Sequence, residues 1–162
     1  TTRWKNVTSF TGLNKLLTNK VTSMERMFDG LFLLEDITMN FPVELKYSRD
    51  DEWVQMIDDT TALVGISDYA QSEMGDLVFI NLPVVGDAVT KDEMMCDIES
   101  VKAVADVICP VSGVVAEVNE ALLDAPETLN ADPYGAWIAK IENITDFAEL
   151  MSADEYKEYR GI

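Results

Sequence analysis

Lys102 is the residue of this sequence that most suggests chemistry. It is the only lysine or arginine between Lys91 and Lys140, in a chain with 30 acidic and 12 basic side chains. An amine on such a long stem can project from a turn and be modified there. Exposed lysines are nevertheless mostly plain solvated surface. The apolar residues on both sides of Lys102 favour a presented amine, because the tips of turns are usually polar.

Four side chains near Lys102 could contribute to a site. Glu99 and Asp97 stand close by and form a local surface that a modifying enzyme could recognise. Cys96 and Cys109 could form a disulfide bond, although such cysteines are more often small buried hydrophobes. Their spacing matches no CxxC motif, so a structural metal site is not predicted.

Conventional catalysis is not indicated by the residue types. The chain has no histidine, which removes the commonest general base, the usual catalytic triads and the commonest zinc ligand. No Gly-rich loop follows a strand, so nucleotide binding is not indicated either. We predict no catalytic residues and no metal ligands, and we expect the protein not to be an enzyme in its own right.

The charge of the chain argues against two classes of partner. Its formal net charge is −18, whereas proteins bind nucleic acids through Lys and Arg. We therefore expect neither nucleic acids nor anionic membranes as partners, and no apolar run approaches the length of a membrane span. Residues 50–162 hold five basic and 25 acidic side chains, and this shift predicts a boundary near residue 45.

Residues 1–42 are predicted to form an N-terminal helical arm. Apolar residues recur between positions 13 and 34 at spacings of one, three and four, as in an amphipathic helix. The first 24 residues contain four bases and no acid, a composition that also resembles an organelle transit segment. Both interpretations remain open at this point.

Residues 43–162 are predicted to form a second, mainly β domain. Short strand-like runs with few helices between them predict a small β-sandwich or barrel. Short helices are expected at SDYAQSEMGD, TDFAELM and SADEYKEY, the last with a capping box of Ser152 and Glu155. The segment from Pro110 to Gly113 is expected to interrupt the strands.

The segments EMMCDIES and AVADVI are predicted to pair as a hairpin around Lys102. When the turn is centred between Val101 and Lys102, Asp97 faces Asp106, and facing like charges are unfavourable. Either the register is shifted by one residue or these acids point into solvent. In both cases Lys102 lies at the tip of the hairpin.

This hairpin resembles the lipoylation region of the glycine cleavage system H protein family. The similarity rests on ESVKA, followed by PVSG and EVN, and it continues on both sides in one colinear order. Upstream, EWV is similar to the early strand of the family, and GISDYAQSEMGDLVFINLPVVGDAV to its long central signature. Downstream, NADPYG, AWIAKI and AELMSADEYKEY are similar to its late turn, last strand and closing helices. The resemblance covers about residues 43–160.

The resemblance implies a hammerhead-type lipoyl domain, a hybrid of β-sandwich and barrel with flanking helices. It also implies that lipoate is bound covalently to Lys102 through an amide and forms a long arm that ends in a dithiolane. Glu99 would help a ligase to recognise the turn. Glu52 and Asp106 would line the cleft that shelters the arm when it carries an aminomethyl group. Tyr69 is assigned to the same cleft, at a position that is His or Tyr in the family.

Two sets of partners follow from the resemblance. In the first, the carrier shuttles an aminomethyl group between glycine decarboxylase and aminomethyltransferase, and dihydrolipoyl dehydrogenase reoxidises the arm. In the second, an H-protein-like lipoate-binding protein carries sulfur intermediates for a heterodisulfide-reductase-like sulfur-oxidising complex. A lipoate ligase or lipoyl synthase system attaches the cofactor in either case. The expected location is the cytoplasm, or the mitochondrial matrix of a eukaryote.

Several departures from the family bear on this choice. Asp51 stands where members commonly have His, the motif after Pro133 is one residue short, and the family as a rule lacks an arm like residues 1–42. Cys96 and Cys109 could exchange with the sulfur of lipoate. The sequence therefore predicts a lipoyl carrier and leaves its cargo open.

Overall fold

The computed structural model describes residues 39–162. The predicted helical arm lies outside the described residues except for its last four, 39–42. Within these, Phe41 is buried against Tyr47 and Tyr156, with ring centroids 6.0 and 5.5 Å away. The division of the chain into an arm and a domain stays a prediction.

Residues 39–162 are built around two antiparallel sheets, as predicted for a mainly β domain. The larger sheet has six strands in the order β1-β2-β3-β9-β8-β5. These strands are Lys46–Tyr47 (β1), Glu52–Met56 (β2), Ala62–Ile66 (β3), Ala88–Val89 (β5), Val111–Val118 (β8) and Ala139–Phe147 (β9). Strands β2 and β3 pair from Glu52 opposite Ile66 to Met56 opposite Ala62, with the polar segment 57–61 between them.

The smaller sheet carries the hairpin predicted around Lys102. Its strands are Leu77–Asn81 (β4), Met94–Ser100 (β6) and Val104–Ile108 (β7), in the order β4-β6-β7. Ile80 pairs with Ile98, and both are fully buried. The alternation of buried and exposed residues along β6 orients one face of this sheet to the core and the other to solvent.

Four short helices flank the sheets in the described part of the chain. They are Asp68–Met74 (α1), Ala121–Asp124 (α2), Thr128–Ala131 (α3) and Ala153–Arg160 (α4). The Ser67 hydroxyl caps the start of α1 by accepting a hydrogen bond from the Ala70 amide, and the helix ends at Gly75, where φ is 77°. The predicted capping box of Ser152 and Glu155 starts α4. No helix among residues 39–162 is long and apolar enough to cross a membrane.

Two groups of buried side chains hold these elements together. The main core joins residues of both sheets, such as Val64 and Ile141 with Ile80 and Ile98. A second, aromatic core lies under α4, where Tyr156 stacks on Tyr47 with ring centroids 4.8 Å apart. Burying such aromatic surface dominates the stability of a small core.

Two local predictions were wrong. The segment TDFAELM was expected to be helical, but its first three residues form the end of β9, where Val111 pairs with Phe147 and Ser112 with Asp146. The expected interruption from Pro110 to Gly113 is confined to Cys109 and Pro110, because β8 already begins at Val111. In both places pairing with a neighbouring strand outweighs the local preference of the residues.

Candidate functional site

The turn at Lys102 is a two-residue loop closed by Ser100. The amide of Ser100 donates a hydrogen bond to the carbonyl of Ala103 at 2.8 Å. The hydroxyl of Ser100 accepts hydrogen bonds from the amides of Lys102 and Ala103, each at 3.2 Å. A serine at the first position of a turn stabilises it in this way, so Val101 and Lys102 are held as the exposed central residues.

The register of the hairpin agrees with the predicted centring of the turn. Asp97 lies opposite Asp106, and Glu99 lies opposite Val104. The repulsion between the facing acids is reduced by orientation, since Asp97 is partly exposed, Asp106 is exposed, and Ile98, the next residue after Asp97 on β6, is buried. The register is therefore kept because it buries the apolar face of the hairpin.

A cavity of about 320 Å³ lies beside this turn. Its walls come from the start of β2, the end of β3, helix α1, the lysine turn and β7. The acidic part of the lining consists of Asp50, Asp51, Glu52, Glu73 and Asp106. The structure thus brings Lys102, Glu52 and Asp106 together at one cavity, as the family resemblance implies.

Apart from Ser100 and Lys102, the remaining lining of the cavity is apolar. It includes Ile66, Met74 and Val107, together with the alanines at positions 70, 103 and 105. The Lys102 stem passes over Gly75 at the end of α1, where an added Cβ would lie 3.3 Å from the lysine Cε atom and 3.5 Å from Nζ. The cavity can therefore take an apolar chain that enters from Lys102 and a cationic group near the acids.

Glu52 is the buried acid of the cavity, with only 2% of its surface exposed. One carboxylate oxygen accepts a hydrogen bond from the Ile108 amide at 2.9 Å, and the other accepts one from the Ser48 hydroxyl. Burial raises the pKa of Glu52 to about 7, although these two hydrogen bonds act in the opposite direction. A cation that enters the cavity would stabilise the ionised form.

Asp51 connects the cavity to helix α4. Its Oδ1 atom accepts hydrogen bonds from the Tyr156 hydroxyl and the Arg160 guanidinium, both at 2.6 Å. The Tyr156 hydroxyl also contacts the Ser67 hydroxyl at 2.8 Å. Burial raises the pKa of Asp51, and Tyr156 and Arg160 oppose that shift. Asp51 has a φ of 83°, and Asp tolerates such a left-handed conformation better than most residues.

The other predicted site residues lie outside this cavity lining. The Tyr69 ring packs in the aromatic core with the Arg160 guanidinium 5.1 Å from its centroid, so nothing in the lining supports its predicted role in the cleft. Glu99 is exposed on β6, where a ligase could reach it. Its predicted recognition role stays a prediction.

Cys96 and Cys109 are free thiols in the main core. Burial raises the pKa of Cys96 to about 12 and that of Cys109 to about 11. The Cys109 thiol donates a hydrogen bond to the Val111 carbonyl at 3.1 Å. Because the thiolate is the reactive form, this environment favours the packing role, which is the commoner one for such cysteines, over a redox role.

Three polar residues at the site were missed in the sequence. Ser48 supports Glu52, Ser100 closes the lysine turn, and Asn130 contacts the segment after α1. Ser100 had a local signal, because serine is favoured at the first position of a turn. Ser48 had a similar signal, because its hydroxyl accepts from the amides of Asp50 and Glu52 in the turn before β2. Asn130 had none, since its partners at the site belong to other elements of the fold.

Known proteins are similar to this chain over most of the part that the structure describes. The sequence profile of the family described as "Glycine cleavage H-protein" matches residues 45–161. The glycine cleavage system H protein of Lachnoclostridium phytofermentans is 56% identical over 115 residues, which cover 71% of this chain and 91% of that protein. The probable glycine cleavage system H protein of Pyrococcus horikoshii is 56% identical over 118 residues, or 71% of this chain and 88% of that protein.

A solved structure shows the same fold. The crystal structure of a glycine cleavage system H protein from Mycobacterium marinum matches with a TM-score of 0.72 and 38% sequence identity. The match covers 75% of this chain and all of that chain. The predicted lipoyl-domain fold is confirmed.

Proposed function

The chain belongs to the glycine cleavage H-protein family, whose members are lipoyl carriers of the glycine cleavage system, and we propose that its lipoyl group is attached to Lys102. The observation that carries this assignment is the position of Lys102 at the tip of a two-residue turn beside an acidic cavity. The amine is exposed for acylation, and Ser100 holds the backbone on both sides of it.

The cavity fits a lipoyl group in size and in chemistry. Ile66, Met74 and Val107 provide an apolar wall for its hydrocarbon chain, and Glu52 and Asp106 provide carboxylates for an amine at its end. When bound, lipoate supplies a disulfide that can accept an aminomethyl group and be restored by oxidation. The residues of this chain position the cofactor and take no covalent part beyond the lysine amide.

Glu52 is suited to bind a cationic amine inside the cavity. Its carboxylate is held by Ser48 and by the amide of Ile108, so it needs little rearrangement when the amine arrives. A cation nearby favours the ionised carboxylate, and charge-assisted hydrogen bonds are stronger than neutral ones. We assign to Asp106 the same function at the cavity mouth, where it is exposed.

The carrier acts by tethering and does not catalyse a reaction itself. A flexible arm on Lys102 raises the local concentration of the cargo at each successive enzyme. In this proposal the partners are glycine decarboxylase, aminomethyltransferase and dihydrolipoyl dehydrogenase, and a lipoate ligase or lipoyl synthase system loads the lysine. The bacterial and archaeal origin of the relatives supports a cytoplasmic location.

The alternative cargo, sulfur intermediates, is not favoured. The relatives reported above are named for glycine cleavage. The two cysteines that suggested sulfur exchange are buried, and their raised pKa values disfavour the thiolate.

Intact mass spectrometry tests the assignment of Lys102. Incubation of the protein with lipoate, ATP and a lipoate–protein ligase should add the mass of one lipoyl group. The modified protein should then support glycine–bicarbonate exchange with purified glycine cleavage enzymes. The variant Lys102→Arg should gain no mass and support no exchange.

The matched control is Lys91→Arg. Lys91 is a partly exposed lysine away from the turn, and it forms an ion pair with Asp146 of β9 at 2.9 Å. This variant should be modified like the unaltered protein. Protein that stays unmodified with an active ligase, or a mass gain that persists in Lys102→Arg, would refute the assignment.

A further inference from the structure

Asn130 in helix α3 uses both donors and the oxygen of its side chain on helix α1 and on the segment that follows it beneath the lysine turn. Its Nδ2 atom donates to the Gly75 carbonyl at 2.9 Å and to the Gln71 side-chain oxygen at 3.0 Å. Its Oδ1 atom accepts from the Leu77 amide at 2.9 Å. The amide therefore bridges Gly75 and Leu77, the two residues on either side of Asp76.

The residue between these two anchors holds the lysine turn. The carbonyl of Asp76 accepts a hydrogen bond from the amide of Val101 at 3.0 Å, one residue before Lys102. The Lys102 stem crosses Gly75 itself, within 4 Å of where a Cβ would stand. The turn is thus attached to residues 75–77 by its backbone and by the lysine side chain.

Asn130 can serve as a rigid support because its own helix is anchored in the core. The neighbouring Leu129 is fully buried in α3, and Leu122 of α2 is almost so. Gln71 of α1 accepts from the same nitrogen that donates to Gly75, so the amide joins α3 to the C-terminal part of α1. A side chain fixed in this way transmits the position of α3 to the lysine turn.

We propose that Asn130 is a positioning residue for lipoylation, which fixes residues 75–77 as a platform that presents Lys102 in one geometry to the attaching enzyme. This inference rests on the proposed attachment at Lys102. An enzyme that acylates a single lysine must bind the turn in a defined conformation, and a preordered turn loses less entropy on binding. Loss of the platform should weaken recognition while leaving the amine itself unchanged.

Kinetics of enzymatic lipoylation test the proposal. In Asn130→Asp, the acceptor for Leu77 is kept, but both donors are replaced by an oxygen that faces the Gly75 carbonyl. We expect the KM for the carrier to rise about tenfold at a kcat within about twofold of the unaltered protein, because a lost hydrogen bond changes binding of the turn and not the acyl transfer. The control Gln55→Glu adds the same charge at an exposed position of β2 and should leave both constants unchanged.

Hydrogen exchange supplies a readout that is independent of the cofactor. In Asn130→Asp, the amide of Val101 should exchange roughly tenfold faster, while core amides such as that of Ile98 keep their exchange rates. A purely structural role of Asn130 would accelerate both amides together. If Asn130→Asp does not fold, as judged by circular dichroism, Asn130→Ser replaces it under the same criteria.

The outcomes separate the inference from the function on which it rests. An unmodified Lys102 in the unaltered protein would contradict the proposed function, whereas Val101 exchange would still report on the platform. Unchanged KM and unchanged Val101 exchange in a folded Asn130 variant would overturn the positioning role. Unprotected exchange of Val101 in the unaltered protein would also overturn it, even if neither variant folds.

Discussion

At the scale of single residues, Glu52 is a carboxylic acid in a buried position that disfavours its ionised form. It is almost fully buried, and its pKa is raised to about 7. In the unfolded chain the same group titrates near its ordinary value of about 4.5, so the folded state binds the proton more tightly between these two pH values. The contribution of Glu52 to stability is therefore fully present at low pH and is lost as the pH rises through 7.

The variant Glu52→Gln should remove this pH dependence. Between pH 4.5 and 7.5, the unaltered protein should lose up to about 3 kcal/mol of unfolding free energy relative to Glu52→Gln, because burial penalises only the ionised group. Urea unfolding followed by tryptophan fluorescence measures the difference at each pH. The control Glu99→Gln, at an exposed position, should show the same change of unfolding free energy with pH as the unaltered protein. A constant difference between Glu52→Gln and the unaltered protein would show that Glu52 does not titrate in this range.

The two cysteines should be inert in the native protein. At pH 8 a thiol with a pKa of about 12, such as that of Cys96, is ionised in roughly one molecule in ten thousand, and both thiols are buried. Ellman's reagent should therefore label neither cysteine within minutes, and should label both after unfolding in guanidinium. The variant Val43→Cys, at a position that is 78% exposed, is the positive control. Rapid native labelling of Cys96 or Cys109 would restore the case for sulfur exchange.

At the scale of elements, helix α4 is attached to the cavity by a tyrosine. Tyr156 is fully buried, and its hydroxyl contacts both Asp51 and Ser67. The variant Tyr156→Phe keeps the stacking on Tyr47 and leaves those two groups without this partner. We expect it to lower the unfolding free energy by about 1–3 kcal/mol, as measured by urea unfolding.

The exposed Tyr159 of the same helix provides the comparison for this variant. Its hydroxyl has no hydrogen bond among the described residues, so Tyr159→Phe should change the unfolding free energy by less than about 0.5 kcal/mol. Equal effects of the two substitutions would mean that the hydroxyl of Tyr156 contributes nothing to the attachment of α4.

The same elements show which parts of the fold can be predicted from the sequence. The register around Lys102 followed from a short turn and an alternating strand, which are local features. The helix expected at TDFAELM failed because the pairing of Phe147 with Val111 depends on a strand more than 30 residues away. Glu52 and Asp106 were predicted from a family resemblance, whereas Asn130 contacts three distant backbone or side-chain groups that no local pattern reveals.

At the scale of the whole molecule, the excess of acids should make stability depend on salt. Residues 50–162 carry five basic and 25 acidic side chains, and such an excess repels itself in the compact state. Raising NaCl from 10 to 200 mM should increase the Tm by about 5 °C, because salt screens the repulsion between exposed charges. Differential scanning calorimetry measures this change. A Tm that falls with salt would mean that surface ion pairs, such as Arg49 with Glu149, dominate instead.

Removal of one acid from the hairpin should also reduce the charge repulsion and raise the Tm at low salt. Asp97 faces Asp106 across the hairpin, and facing like charges are destabilising. The variant Asp97→Asn should therefore raise the Tm at 10 mM NaCl and respond less to added salt than the unaltered protein. An unchanged salt response would place the repulsion elsewhere on the surface.

The contact between Phe41 and Tyr156 has a consequence for the order of the strands along the chain. The segments on which these residues lie are further joined by paired hydrogen bonds between Tyr47 and Met151, at 2.9 and 2.8 Å. In a variant that begins at residue 39, a linker could therefore connect them, and the chain could be reopened in the exposed loop at 57–60 without breaking a strand. Such a circular permutant would keep every neighbour in both sheets and the lysine turn unchanged. We therefore expect the carrier fold to depend on the cyclic order of its elements and not on which of them is made first.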